Sequence, residues 1–449
     1  MLRRRIQGVS LLAVVAVTAF GCGRIAQAET DPPPPVASEV LTPRSVLADK
    51  GLVGGPATAS LPGHDRAKRA AAQIVLDWQR IALRTVFTET ATPIPSASLY
   101  LGFTSLAVDD AVRTASGSGK ASGEHGRASA VAAAAQAAHD VLAEYFPTAK
   151  AKLDADLATS LAAVPSGKAK ASGIRVGQRA ARDMIASRVG DGRGAAITYS
   201  KNPAPGVWQA PPPPGGMLLP WLGFVDPLVL RRSVRVDGPD PTTSAAYAAD
   251  FNEVKRIGSL VATATDRSAH DTDTARFFNF NAILQLHEAL IRHLEESPLS
   301  LPRTARLFAA IDAATADALI QGWRLKYDYG YWRPFQAIPA ADTDGNPATA
   351  ADTNWAPLLT APPYPDYVSG HALITGAFAG SVREFLGDDV PLLLRSTPPL
   401  AERRYSKLSA IEDDAFMARI WLGFHFRDAM DDGYQVAHTT ARHVARQLG

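Results

Sequence analysis

Three short segments of the chain gather residues able to bind and act on a tetrahedral oxyanion. The first, KYDYGYWRP at 326–334, places Lys326 and Arg333 seven residues apart. Seven steps at about 100° come to about 700°, so on a continuous helix both cations share one face, two turns apart. Pro334 disfavours helix at Arg333, so a helix is expected to end there. Trp323, Tyr327, Tyr331 and Trp332 bring more aromatic surface than a solvated basic face needs. The second segment, PPYPDYVSGHALITGAFAG at 362–380, passes from prolines into an apolar run without proline. Ser369 or Gly370 is the expected helix cap there. Such an N-terminus favours anions, and His371 falls in its first turn, where a lone histidine is ordinarily structural. The third segment, ARIWLGFHFRDAMDDG at 418–433, holds Arg419 and His425. On one helix they would lie about 240° apart. Both serve one site only if the helix breaks between them, and Gly423 is the expected break; taken alone, Arg419 reads as a surface residue.

In this order, the three segments resemble the vanadium-dependent haloperoxidase and type 2 phosphatidic acid phosphatase superfamily. Its signature runs Lys-x6-Arg-Pro, then Pro-Ser-Gly-His, then Ser-Arg-x5-His-x3-Asp. Lys326, Arg333 and Pro334 match the first part, Ser369, Gly370 and His371 the second, and Arg419, Gly423 and His425 the third. The helical regions from about residue 70 onward look like the larger bacterial members related to vanadium chloroperoxidase. Three positions depart from the pattern. Val368 replaces the proline before Ser369, Ala418 the serine before Arg419, and Ala429 the carboxylate four residues after His425. A histidine needs a partner for its second nitrogen to fix its tautomer, and Asp428 and Asp432 are the nearby substitutes.

The resemblance implies one pocket for phosphate or vanadate. Lys326, Arg333 and Arg419 would neutralise it, the arginines through planar forks of donors. The Ser369 hydroxyl and the Gly370 N–H would add hydrogen bonds, with His371 and His425 at opposite apices. Two chemistries then stay open. As an acid phosphatase, His425 attacks phosphorus and forms a phosphohistidine while His371 protonates the leaving oxygen, with no cofactor. As a haloperoxidase, one vanadate per chain is the cofactor and His425 its apical ligand. Lys326 then polarises bound peroxide, halide is oxidised to hypohalous acid, and His371 moves protons. Trp323, three before Lys326, Trp332 beside Arg333, and Tyr364, five before Ser369, favour the peroxidase branch. Trp323, Tyr364 and Asp428 are the expected residues around the halide. The departures at Ala418 and Ala429 support a third reading, an oxyanion binder without turnover on the same scaffold.

The elements that must position these residues read as mostly α, a helical-bundle core with long Pro-rich loops. Helical patterns fall at 70–82, 128–146, 150–164, 176–189, 245–263, 272–294 and 301–327. Segment 116–127 reads as a Gly/Ser loop, and 190–245 is rich in proline and must be irregular, with Trp208, Trp221 and Phe224 packing it down. Alternating strands are scarce and no internal repeat is visible. The other histidines, His64, His125, His139, His270, His287, His293, His438 and His443, show no metal-ligand spacing; His287 and His293 share a helix on different faces. Asp342, Asp344 and Asn346 look like a calcium loop without its downstream glutamate, and read as a turn.

Composition bounds the rest. Of 449 residues, 46 % are hydrophobic and 20 % charged, ordinary for a folded protein. Lys plus Arg total 46 against 44 Asp plus Glu, which gives no support to nucleic-acid partners. A single thiol, Cys22, excludes an intrachain disulfide framework and any cysteine cluster for a metal. Arg3, Arg4 and Arg5, the apolar run Val9–Phe20 and Ala26-Gln27-Ala28 form a signal peptide expected to be cleaved after Ala28. Cleavage removes four arginines and no acid, taking the net charge from +2 to −2. A lipoprotein anchor at Cys22 and Sec or twin-arginine export stay open. The expected organisation is signal peptide 1–28, Pro-rich tether 29–66 and one α-helical domain 67–449, with an N-terminal helical half 67–245 and a catalytic half 246–449. The expected product is an exported protein with no transmembrane helix in the mature chain. Its partners would be hydrogen peroxide and halide, or a phosphate ester.

Overall fold

The computed structural model describes residues 63–117, 128–211, 215–397 and 402–449, with side chains from residue 71 onward. All of them belong to one compact unit, Thr58–Gly449. The signal peptide with Cys22, the tether to residue 62 and most of the 116–127 loop lie outside the described residues, as does His125, and the side chain of His64 is likewise not described.

In chain order the helices are α1 (Gly63–Leu83), α2 (Ile94–Ala115), α3 (Ala130–Tyr145), α4 (Lys150–Ala162), α5 (Lys168–Ser187) and α6 (Ala245–Ile257). There follow α7 (Ala269–Phe277), α8 (Ala282–Glu296), α9 (Leu301–Tyr329), the single turn α10 (Pro334–Ala337), α11 (Gly370–Leu386), α12 (Leu408–Trp421) and α13 (Arg427–Leu448). The strands among the described residues are one antiparallel hairpin, β1 (Leu392–Arg395) with β2 (Glu402–Tyr405). The mostly α reading therefore holds. Among the described residues no helix is long and apolar enough to cross a membrane.

Helix α9 is the axis of this arrangement. Ser300 precedes it, Pro302 occupies its first turn, and Gly330 ends it at φ +57°. From Leu307 to Trp323 every residue is buried, as expected of a helix surrounded by others. It packs on α2 to one side and on α11 and α13 to another, while α11 and α13 pack on each other.

Helices α2 and α13 fall outside the expected helical patterns, and in α2 Ser96, Ser98, Thr104, Ser105 and Asp109 interrupt the apolar pattern. All five are buried, and Ser98 and Thr104 bond back to the preceding turn. The pattern at 272–294 is two helices rather than one. α7 ends at Phe277, and Asn281 caps α8 by accepting the Leu284 N–H. The 245–263 pattern stops at Ile257.

The Pro-rich stretch is irregular, as expected, and α9 fastens it. The Asp317 carboxylate accepts the N–H groups of Leu228, Val229 and Leu230 at 2.6, 2.9 and 2.6 Å. One turn on, Gln321 accepts from the Val234 N–H and donates to its carbonyl. Trp323 Nε1 donates to the Leu218 carbonyl. Side chains thus supply the partners that a strap without secondary structure cannot find in itself. Trp208 is buried in the same layer. The Asp344 side chain binds Asn346 and Thr349 within a local turn, and no group of acids and histidines suited to a metal ion occurs among the described residues.

Candidate active site

Lys326 sits in the last turn of α9, wholly buried, with Nζ donating to the carbonyls of Pro365 and Asp366 at 2.7 and 2.9 Å. Arg333 reaches the same place by another route than the expected one. The helix stops at Tyr329, and Arg333 is extended at φ −93°, ψ 161°, so the two cations do not share a helical face. The turn at Gly330 brings Arg333 back instead. Its Nε donates to the Tyr364 carbonyl at 2.6 Å and its Nη1 to the Phe424 carbonyl at 2.7 Å. Both cations lie over the Tyr364 ring, at 4.8 and 4.9 Å, and Tyr364 leans on Trp323 with ring centres 5.1 Å apart.

Ser369 is the N-cap of α11, its hydroxyl accepting the Ala372 N–H. Gly370 opens the helix, so its N–H is one that intrahelical bonding leaves free. His371 follows in the first turn, its ring bonded to the Phe280 carbonyl in the break between α7 and α8. That same break holds Arg419, which is buried rather than exposed. Its Nη1 donates to the Phe278 carbonyl at 3.0 Å and its Nη2 to Asn279 at 3.3 Å.

Arg419 and His425 are separated as the spacing requires. α12 ends at Trp421, Gly423 takes φ +74°, and α13 starts at Arg427. A Cβ at Gly423 would meet the Gly258 carbonyl oxygen at 2.6 Å, so both the backbone angle and the space select glycine. His425 Nε2 lies 3.5 Å from Arg333 Nη1.

The partner of His425 corrects the sequence reading. Asp428 does not reach it. The Asp428 carboxylate accepts the Asp240 N–H, while the Asp432 carboxylate takes the Tyr367 hydroxyl. The carboxylate beside His425 is Asp366, three residues before Ser369, with Oδ1 2.8 Å from Nδ1. Sequence reasoning missed it because it searched forward along α13, whereas the partner arrives from a loop 59 residues earlier, by subtraction of the two positions. The signal was an acid inside the second motif segment.

The electrostatics favour an anion. Burial first, then Arg333, pushes the Lys326 ammonium well below its ordinary range. Burial lowers Arg419 to about 9. Burial, then Arg333, Lys326, Arg419 and His371, holds the His425 imidazole well below the usual histidine range. Burial, then Arg419, does the same for His371. Burial raises Asp366 to about 7. Arg333 and Arg419 thus flank two histidines whose charged form burial disfavours, with the buried Arg333 Nη2, Arg419 Nε and His371 Nε2 all lacking a hydrogen-bond partner. Buried polar atoms are rarely left so, and a tetrahedral oxyanion such as vanadate or phosphate fits the set, since it can accept from both guanidinium groups and meet an imidazole.

This fold and this donor set define a helical-bundle protein with a buried, cation-lined pocket whose chemistry suits an oxyanion. Residues 306–448 match the family model of the VCPO second helical-bundle domain. The chain is 23 % identical over 355 residues to the vanadium chloroperoxidase of Curvularia inaequalis, a match covering 63 % of this chain and 57 % of that protein, so it spans little more than half of that relative. Among solved structures it is similar to a bacterial vanadium-dependent iodoperoxidase, with TM-score 0.67, 19 % identity and coverage of 85 % of this chain and 95 % of the other. An apo-type bacterial vanadium-dependent chloroperoxidase gives TM-score 0.62 at 15 % identity, covering 79 % and 94 % of the two chains. Residues 306–448 thus match the VCPO second helical-bundle domain, and the chain as a whole shares the helical-bundle fold of these vanadium-dependent enzymes.

Proposed function

We propose that the protein is an exported vanadate-dependent haloperoxidase that oxidises halide with hydrogen peroxide to hypohalous acid. The observation that carries this reading is the set of buried Lys326, Arg333, Arg419 and His425 with half-buried His371, whose unpartnered atoms an oxyanion completes. The names of its relatives and the Trp323–Tyr364 pair beside the cations support the peroxidase over the phosphatase.

Each residue then has a task. Lys326, Arg333 and Arg419 neutralise the bound oxyanion and fix its orientation. The Ser369 hydroxyl and the Gly370 N–H add donors at a helix N-terminus. His425, neutral, would hold the oxyanion through ring nitrogen Nε2. His371, also neutral and anchored through the Phe280 carbonyl, accepts and returns a proton at Nε2. Tyr364 and Trp323 wall the cations and exclude water. Vanadate, when bound, supplies the Lewis acidity that activates peroxide toward halide.

The test is halogenation of a dione dye by the mature protein with hydrogen peroxide and iodide, bromide or chloride, with and without orthovanadate. Turnover that depends on vanadate and disappears in His425→Ala is expected. Hydrolysis of an aryl phosphate without any halogenation would replace the proposal with the phosphatase. Tight vanadate binding with neither activity would make the protein an oxyanion binder.

A further inference from the structure

We propose that Asp366 is the positioning residue of His425, holding the ring from its Nδ1 side so that Nε2 is presented to the oxyanion. The inference rests on the oxyanion-site reading above, and not on which reaction follows.

Four observations carry it. Asp366 Oδ1 and His425 Nδ1 are 2.8 Å apart and both residues are buried. His425 Nδ1 has no aligned hydrogen-bond partner elsewhere, and among the described residues no other side chain bonds the Asp366 carboxylate. Besides the Phe426 N–H, which also acts on the Asp366 carboxyl, His425 Nδ1 is the group in contact with it, and a small turn of the ring aligns the Nδ1–H on the carboxylate. The far side of the ring agrees. Nε2 faces Arg333 Nη1 at 3.5 Å, and a guanidinium only donates, so that nitrogen carries the lone pair and the proton is on Nδ1.

Asp366 is itself held by the first motif. Its carbonyl accepts from Lys326 Nζ at 2.9 Å, and its N–H donates to the Tyr331 carbonyl at 2.9 Å. One residue therefore ties the end of α9 and the loop before α11 to the histidine that precedes α13. Asp366, Asp428 and Ala429 line one small cavity, and residue 429 contributes a methyl group to it rather than a carboxylate.

The test uses the full chain with 15N-labelled histidine. Spectra are recorded without ligand, and the His425 signals are assigned by their loss in His425→Gln. The wild-type protein is expected to show the Nδ1–H tautomer with Nε2 bare. Asp366→Leu, similar in shape but without an acceptor, is expected to lose that preference and to bind orthovanadate about 10–100-fold more weakly by calorimetry. Asp366→Asn, which keeps an acceptor, is expected to restore the tautomer and most of the affinity. An Nε2–H tautomer in the wild-type spectrum overturns the proposal even if Asp366→Leu does not fold. Unchanged tautomer and affinity in a folded Asp366→Leu overturns it as well. None of these readouts needs turnover, so a protein that shows the Nδ1–H tautomer yet never halogenates removes the peroxidase reading alone.

Discussion

His371 and His425 stay neutral because burial disfavours the charged ring, and Arg419 and Arg333 add to this at both, with Lys326 at His425. Neutrality matters, since a protonated imidazole has no lone pair to give. Orthovanadate affinity, measured by calorimetry, is therefore expected to persist as pH falls from 8 through 6.5, where an ordinary histidine would begin to lose it. A loss centred near 6.5 would show that burial and the cations do not act on these rings. Asp428 behaves in the opposite sense. Burial, reinforced by Asp432, Asp240 and Asp250, raises its carboxyl to about 7 from the ordinary 3.8. The folded state then binds a proton that the unfolded chain releases, so stability falls as pH rises through that interval. Asp428→Asn keeps an acceptor for the Asp240 N–H. It is expected to raise the melting temperature by about 2–4 °C at pH 8 and leave it unchanged at pH 4.

The break between α12 and α13 and the clamp on the Pro-rich strap are properties of whole elements. Gly423→Ala places a Cβ against the Gly258 carbonyl at an angle that L-residues resist, at about 1–2 kcal/mol before any clash. Arg419 and His425 flank that turn, so a measurable fall in orthovanadate affinity should accompany the loss in stability; unaltered binding would mean that the break does not position them. Asp317→Ala strands the three N–H groups of residues 228–230, which is expected to lower stability by about 3 kcal/mol in a denaturant melt. Hydrogen exchange of those amides should rise with it, and amides that stay protected would show the strap to be held by its apolar contacts instead.

Over the whole molecule, residues far apart in sequence meet because α9, α11 and α13 pack together, and the α7–α8 break lends its free carbonyls to Arg419 and His371. The N-terminal 28 residues are proposed to direct export and then to be removed. Terminal sequencing of the exported protein should read Glu29 first, and an intact Met1, or a chain beginning at a lipidated Cys22, would refute that cleavage.

In sequence, Lys326, Arg333, Ser369, Gly370, His371, Arg419 and His425 form one candidate oxyanion site only through the family resemblance their motifs carry; taken alone, Arg419 reads as a surface residue and His371 as structural. Residue types and their spacing determined by themselves that Ser369 caps a helix and that Gly423 must break one, because caps and left-handed turns depend on a few neighbouring residues. Helix-favouring composition likewise made α9 legible at its start. Tertiary structure alone decided the rest. Arg333 leaves the helix because Gly330 turns the chain, so seven-residue spacing works here through a loop. The polar residues of α2 fit a buried helix because Ser98 and Thr104 bond back to their own backbone and Ser105 to Asp312 on α9, which no periodicity records. The carboxylate beside His425 comes from Asp366 and not from Asp428, since which acid reaches a ring depends on where distant backbone is held, and that is set by packing.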